Sequence, residues 1–359
     1  MFIMKEGDLD IPVTAIVSNA ISGGGAEKSM LALHQSFLKS GMKSNLIALN
    51  QSINPQTVPH VTELNRKWKS GLINTWINYL DFKKIVKTID PGILILNCEL
   101  PELYGAMLSH KCKIICVEHT TKPWNGKKIL GIFVRLLLRF KKVDWVTVVN
   151  TQEKIWHGGP VVAYLPNPFI NHFSESRPAE KNSVLTFVGG LKPNKHPEWV
   201  IKTGLALKLP VHIFGDGVLR TQLESRYEKN SGQINFFGFL PNPWSAISPN
   251  SLIIVPSEYE GDGMVIVEAV LSGNPILLRD NEDLRRFGFE DRYYFKDLED
   301  LISIVKRNSQ TGFNELLVSQ SKTNELQASR SLQRITQEWL IVLNTRYNLK
   351  AHQSGRRVD

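Results

Sequence analysis

The stretch "PSEYEGDGMVIVEAVLSGNP", residues 256–275, follows the apolar run "SLIIV" and holds four carboxylates: Glu258, Glu260, Asp262 and Glu268. The run reads as a buried strand, and "GMVIVEAVLSG" as an apolar helix closed by Gly273 and Pro275. Gly261 and Gly263 between them let the backbone turn tightly and approach a ligand closely. A helix beginning near Met264 presents unbonded N–H groups and a positive dipole end, a natural phosphate site. Glu260 precedes that end, and Glu268 follows it by about one and a half turns at ~1.5 Å per residue. A buried carboxylate needs a partner. A diphosphate on the helix terminus with a sugar on each side supplies one, because a carboxylate accepts two hydrogen bonds from a vicinal diol.

Working outward, the same strand–loop–helix unit recurs on both sides. "IPVTAIVSNA" leads into "SGGGAEKSMLALHQSFLKSG", a glycine loop and an amphipathic helix closed by Gly41. "KSNLIALN", "GILILNC", "KIICVEH" and "WVTVVN" are short apolar runs suited to a parallel sheet, and "WINYLDFKKIVKTIDP" is a helix stopped before Pro91. A second set begins near 182, with strands "SVLTFVGGL", "PVHIFGDG", "INFFGFL", "SLIIVPSEYE" and "PILLR" and the helix "PEWVIKTGLALK". The expectation is α/β: two doubly wound parallel sheets in tandem, facing a cleft, joined by the Pro-, Asn- and Ser-rich segment 164–182. Residues 332, 335, 339, 342 and 343 form a helical stripe near the end of the chain.

The 359 residues, 42% hydrophobic and 21% charged, suit two globular domains. No apolar window reaches the roughly 18 to 20 residues of a membrane span. "MFIMKEGDLDIP" lacks a basic leader, and Cys98, Cys112 and Cys116 read as reduced thiols, so the expected location is cytoplasmic. The net charge of +9 is concentrated in residues 1–170, where 20 Lys and Arg face 12 Asp and Glu. That excess points to an anionic partner. "KKILGIFVRLLLRFKK", residues 127–142, has six basic residues and no acid. It fits either a helix lying on an anionic membrane on the inner face of the cytoplasmic membrane or a core helix with a basic rim. Aromatics do not interleave with its bases, so nucleic acid is not expected. Cys112, Cys116 and His119 have no fourth ligand at a useful spacing for zinc.

These segments resemble the retaining glycosyltransferases of family 4, the glycosyl transferases group 1, over nearly the whole chain. "SEYEGDGMVIVEAVLSGNPI" is similar to the family's two-glutamate motif, with Glu260 and Glu268 at the glutamates and Asp262 where phenylalanine is usual. "FVGGLKPNKHPEWVI" places Lys195 at the phosphate-binding lysine and Gly190 at an arginine position, with Lys192 as a substitute. "SGGGAEKSM", "VEHTTKPW", "VHIFGDGVLRTQLE" and "INFFGFLPN" match further family segments. The resemblance implies a GT-B fold. Its acceptor-binding Rossmann-like domain would span 1–170, its nucleotide-sugar domain 171–330, and a final helix, 331–349, would cross back to the first domain.

The resemblance implies catalytic roles for Glu260, His119 and Lys195. It implies donor contacts from Gly24, Gly25, Gly189, Gly190, Gly215, Gly217, Phe239 and Leu240, and from Gly261, Asp262, Gly263, Met264, Val265 and Glu268. It implies transfer of a hexose-type sugar from a UDP- or GDP-linked donor to a glycan or lipid-linked acceptor in bacterial surface polysaccharide or lipopolysaccharide synthesis. Neither a cofactor nor a metal ion is implied. A nucleotide-sugar epimerase and a non-catalytic nucleotide-sugar-binding subunit share the donor site and stay open. A glycoside hydrolase fits less well: eight helical residues span about 12 Å, beyond the ~5 to 9.5 Å its two carboxyls need.

Overall fold

The computed structural model describes residues 13–21, 23–51, 58–66, 71–170 and 183–347. The leader reading of 1–12, most of the linker reading (171–182) and the last twelve residues lie outside them. The chain divides into one unit of Met1–Pro168 with Arg330–Asp359 and a second of Phe169–Ser329.

The first unit runs β1 (Thr14–Ser18), α1 (Gly25–Lys39), β2 (Ser44–Asn50), β3 (Val61–Arg66), α2 (Leu72–Ile89), β4 (Ile93–Asn97) and α3 (Glu99–Met107). It continues with β5 (Lys113–Glu118), α4 (Lys128–Phe140), β6 (Asp144–Thr147) and β7 (Val161–Tyr164). Its sheet is wholly parallel, in the order β3-β2-β1-β4-β5-β6-β7. Ala15, Val17, Leu94 and Leu96 point to one face, under α2, α3 and α4; Ile16, Ile93 and Ile95 point to the other, under α1. That two-sided burial explains the unbroken apolar runs in the sequence.

The second unit runs β8 (Val184–Val188), α5 (Pro197–Leu207), β9 (Val211–Phe214), α6 (Arg220–Arg226), β10 (Ile234–Gly238), β11 (Ser251–Val255) and α7 (Met264–Leu271). Then come β12 (Ile276–Arg279), α8 (Glu282–Arg285), β13 (Tyr294–Phe295), α9 (Leu298–Asn308) and α10 (Gln320–Ser329). Its sheet is also parallel, ordered β10-β9-β8-β11-β12-β13. In both sheets the strand order reverses beside the first strand, at β1/β4 and at β8/β11. Such switch points open a crevice at the carboxyl ends.

The last helix, α11 (Leu332–Tyr347), belongs to the first unit. Ile335, Trp339 and Leu343 join the core under α1, Thr336 Oγ1 donates to Ser36 Oγ at 2.7 Å, and Arg346 forks onto Asp144 at 2.9 Å on both bonds. Arg330 Nη1 donates to the carbonyl of Asn167 at 3.3 Å, so the chain leaves the first unit and returns to it at one place.

The segment 127–142 departs from a uniformly basic exterior. Arg135 of α4 is buried, bonded to Glu118 at 2.6 Å and Glu102 at 3.3 Å, with its guanidinium 4.6 Å from the Trp145 ring centroid. The two carboxylates were out of sight in the linear reading because they come from α3 and the end of β5.

Candidate active site

In the second unit the expected residues collect at the carboxyl ends of three neighbouring strands. Gly189 and Gly190 follow β8, Gly215 and Gly217 follow β9, and the segment 256–263 follows β11. Gly215 has φ +141°, and a Cβ there would lie 1.8 Å from the Gly189 carbonyl. A Cβ on Gly217 would lie 2.5 Å from the Leu191 carbonyl. Only glycine lets these two loops close on each other. The Cβ position of Gly190 is open and lies 3.5 Å from Lys192 Cε, so the Lys192 side chain runs alongside the vacant arginine position.

Lys195 and Glu260 meet across the β8/β11 switch point. Lys195 Nζ donates to Glu260 Oε1 at 2.5 Å, and Ser257 Oγ donates to the same oxygen at 2.8 Å. The backbone N–H of Glu258 bonds the Asn194 carbonyl at 2.8 Å, locking the two loops in register. Glu260 is 8% exposed, so its charge is supported by these partners. Its own N–H is held by Asp283 Oδ2 at 3.0 Å, and Arg286 donates to the carbonyl of Gly261. Asp262 lies in this same pinned segment and is 5% exposed.

Gly263 stands at the N-cap of α7 with φ +69°, and among the described residues no side chain caps the helix. A Cβ at Gly263 would press on Phe287 Cζ at 2.9 Å. The N–H groups of the first turn, at Met264 and Val265, precede any carbonyl they could bond within the helix. One turn further on, Glu268 is half-buried and accepts from Trp244 Nε1 at 2.9 Å. Phe239 and Leu240 follow β10, the edge strand beyond β9. Beside them Phe237 stacks on Phe214, 4.5 Å between centroids and 8° between planes.

In the first unit Gly24 caps α1, Gly25 begins it, and both follow β1. His119 directly follows β5, with Nδ1 3.4 Å from Asn167 Nδ2. β1 and β5 are separated by β4, so these residues share one sheet edge about 10 Å apart. Behind His119, Glu118 accepts from Arg135 and from the N–H of Thr120. Burial pushes the Glu118 carboxyl up to about 7 despite the Arg135 charge, and the same burial together with Arg135 pushes His157 down to about 4. Cys116 is buried in β5, and burial raises its thiol. Among the described residues no group of three His, Cys, Asp or Glu is placed to hold a metal ion.

Linear reading missed Ser257, Trp244, Asp283 and Arg286, the residues that hold Glu260, Glu268 and their loop. Only Ser257 carried a signal, as the first residue of the two-glutamate motif. The others come from loops and helices distant in sequence, where no local pattern marks them.

Residues 169–287 match the family described as Glycosyl transferases group 1. A Campylobacter jejuni protein is 25% identical over 208 residues, 52% of this chain and 57% of its own. It is described as a GalNAc-alpha-(1->4)-GalNAc-alpha-(1->3)-diNAcBac-PP-undecaprenol alpha-1,4-N-acetyl-D-galactosaminyltransferase. The poly(ribitol-phosphate) alpha-N-acetylglucosaminyltransferase of Staphylococcus aureus is 24% identical over 234 residues, 62% of this chain and 45% of its own. The chain thus spans about half the length of these curated relatives. Among solved structures, Anabaena HepE in complex with UDP and glucose superposes with a TM-score of 0.75 at 15% identity, covering 93% of this chain and 100% of HepE.

Proposed function

We propose that the protein is a retaining glycosyltransferase, on the match of residues 169–287 to the glycosyl transferases group 1 in a chain with the GT-B fold. It moves a hexose-type sugar from a nucleotide sugar to a glycan or lipid-linked acceptor in bacterial surface polysaccharide synthesis. The observation that carries this reading is the Lys195–Glu260 pair across the β8/β11 switch point, beside the uncapped N-terminus of α7. The UDP of the HepE complex supports UDP as the nucleotide.

The diphosphate lies on the N–H groups of Met264 and Val265, at the carboxyl edge shared with the glycine loops at 189–190 and 215–217. Lys195 turns from Glu260 to the phosphate, and Lys192 adds charge beside Gly190. These cations and amides stabilise the leaving diphosphate as negative charge develops on it, by electrostatics fixed before the reaction. Glu268, oriented by Trp244, holds the ribose diol. Glu260, released from Lys195, takes the hydroxyls of the transferred sugar. The departing phosphate accepts the acceptor's proton, which keeps the configuration without a protein nucleophile. On the first unit, His119, Gly24 and Gly25 are the residues this reading assigns to the sugar donor. Through the exposed part of 127–142 the protein makes peripheral contact with an anionic membrane.

The test is incubation with UDP- and GDP-sugars, with and without lipid-linked oligosaccharide. Acceptor-dependent release of nucleotide is the expected result. An isomerised donor sugar without acceptor would identify an epimerase instead, and binding without turnover a non-catalytic subunit.

A further inference from the structure

The outer helix layer of the first unit is apolar where a water-facing layer should be polar. Tyr104 OH of α3 donates to the Thr75 carbonyl of α2 at 2.8 Å, and Tyr79 OH of α2 donates to the Met107 carbonyl of α3 at 2.8 Å. Arg135 ties α4 to α3 through Glu102. The three helices therefore lie side by side, with α3 in the middle. On α2, Leu72 and Ile73 are 90% and 78% exposed, and Trp76, Ile77 and Leu80 continue the stripe. On α3 the half-exposed residues Leu100, Leu103 and Met107 recur at helical spacing. On α4, Ile129 and Phe140 are 86% and 82% exposed, with Ile132 and Phe133 between them. Neighbouring helix axes lie about 8 to 10 Å apart, so this is one surface, far larger than the scattered apolar residues of an ordinary exterior.

We infer that α2 and α4 together form a docking face for an anionic bilayer, with the N-terminal half of α2 as its most prominent apolar element. Three observations favour lipid over protein. Exposed Lys83, Lys84 and Lys87 on α2, and Lys127, Lys128 and Arg139 around α4, border the apolar residues. Against them stands Asp81, already paired with Lys84 at 3.1 Å. A second copy docking through the same face would set these cations opposite one another. Anionic headgroups would neutralise them, while long lysine stems reach past the apolar contact. Finally, each helix returns antiparallel to the strands, so the N-termini of α2 and α4 lie at the strands' carboxyl edge. That edge carries Gly24, Gly25 and His119. A bilayer on this face meets that edge of the unit proposed to bind the acceptor, which suits an acceptor whose apolar anchor stays in the membrane. This deepens the glycosyltransferase reading and rests on it only for the acceptor.

The experiment uses the full chain with vesicles of phosphatidylcholine and phosphatidylglycerol at 7:3, and of phosphatidylcholine alone, separated by sedimentation. The wild type should pellet with the anionic vesicles. L72S/I73S/W76S should lower that partition at least tenfold, as should I129S/F133S on α4; all five positions are exposed, so neither variant should lose its melting transition. The assignment is overturned if the wild type stays in the supernatant, if the α2 variant partitions like wild type, or if binding to phosphatidylcholine alone is equal. It is also overturned if the wild type is a dimer that these substitutions dissociate. A UDP-induced rise in melting temperature is read on the same samples. Its absence in the wild type would sink the donor-site reading and leave the vesicle result standing.

Discussion

Lys195 and Glu260 stabilise each other when no phosphate is present, so each substitution acts on both the site and the fold. Removing the ammonium in Lys195→Met leaves the buried Glu260 with, among the described residues, only Ser257 as a side-chain donor to the paired oxygen. In the proposed reaction it also removes the charge that would face the leaving diphosphate. Loss of one preorganised donor costs about 10²- to 10³-fold in turnover. The expected outcome is a kcat lower by that order, with a melting temperature lower by a few degrees, measured by nucleotide release and by calorimetry. If Lys195→Met turned over like wild type, the lysine would be structural only. Residues of this kind divide cleanly in legibility. Lys195, Glu260 and Glu268 sit at fixed offsets from glycines, and the offsets are visible in the chain. Trp244 and Asp283 reach the same segment from 24 and 23 residues away, through contacts that only the folded loops create.

At the scale of elements, the glycine loops carry the strictest demand. A methyl on Gly215 would meet the Gly189 carbonyl, and φ +141° lies outside what an L residue adopts readily. Gly215→Ala should destabilise the second unit by about 2–4 kcal/mol, through displaced backbone and strain together. Its thermal unfolding checks this, and a shift within a degree of wild type would mean the loops part easily. Strand legibility followed burial. The strands sandwiched between helices announced themselves as apolar runs. β3, with its polar "VTELNR", and β7 and β13, of four and two residues, did not. α3 was hidden by Pro101, which sits harmlessly in its first turn, where a missing N–H costs nothing.

The cluster joining α3, α4 and β5 gives the element scale a pH signature. Glu118, raised to about 7 by burial, holds its proton in the folded state after the unfolded chain has released it. It therefore stabilises below about 4.5 in full and loses that contribution as pH rises towards 7. His157, lowered to about 4 by burial and by Arg135, works the other way. The unfolded chain takes up that proton below about 6.5, so stability falls as pH falls from 6.5 to 4. The two slopes oppose each other over roughly pH 4.5 to 6.5, as the two values require. Relative to wild type, Glu118→Gln should melt progressively higher as pH rises from 5 to 7. His157→Asn should show its advantage at pH 5 and lose it by pH 7. Melting curves at four pH values decide the matter, and parallel profiles for all three proteins would show that neither group titrates in this window.

At the scale of the whole molecule, two parallel sheets built on one plan share a chain of 359 residues; that both are doubly wound was readable because each repeats the strand–loop–helix unit, while the strand order came from the fold. Which unit α11 joins was not contained in its own apolar stripe. It is decided by complementary surfaces on α1 and by Asp144, which receives both Arg346 and Tyr347.

The Arg330–Asn167 hydrogen bond has a genetic corollary. Because exit and re-entry coincide, residues 169–329 form a cassette whose two ends open onto one point of its host. A gene encoding 169–329 alone should yield a folded fragment that binds UDP. A gene joining Pro168 directly to Arg330 should yield the remaining sheet with α11 in place. Calorimetric titration of the fragment with UDP tests the first, and circular dichroism with a cooperative melt tests the second. On this topology, recombination exchanges residues 169–329 between related chains and leaves the rest of the first unit unaltered.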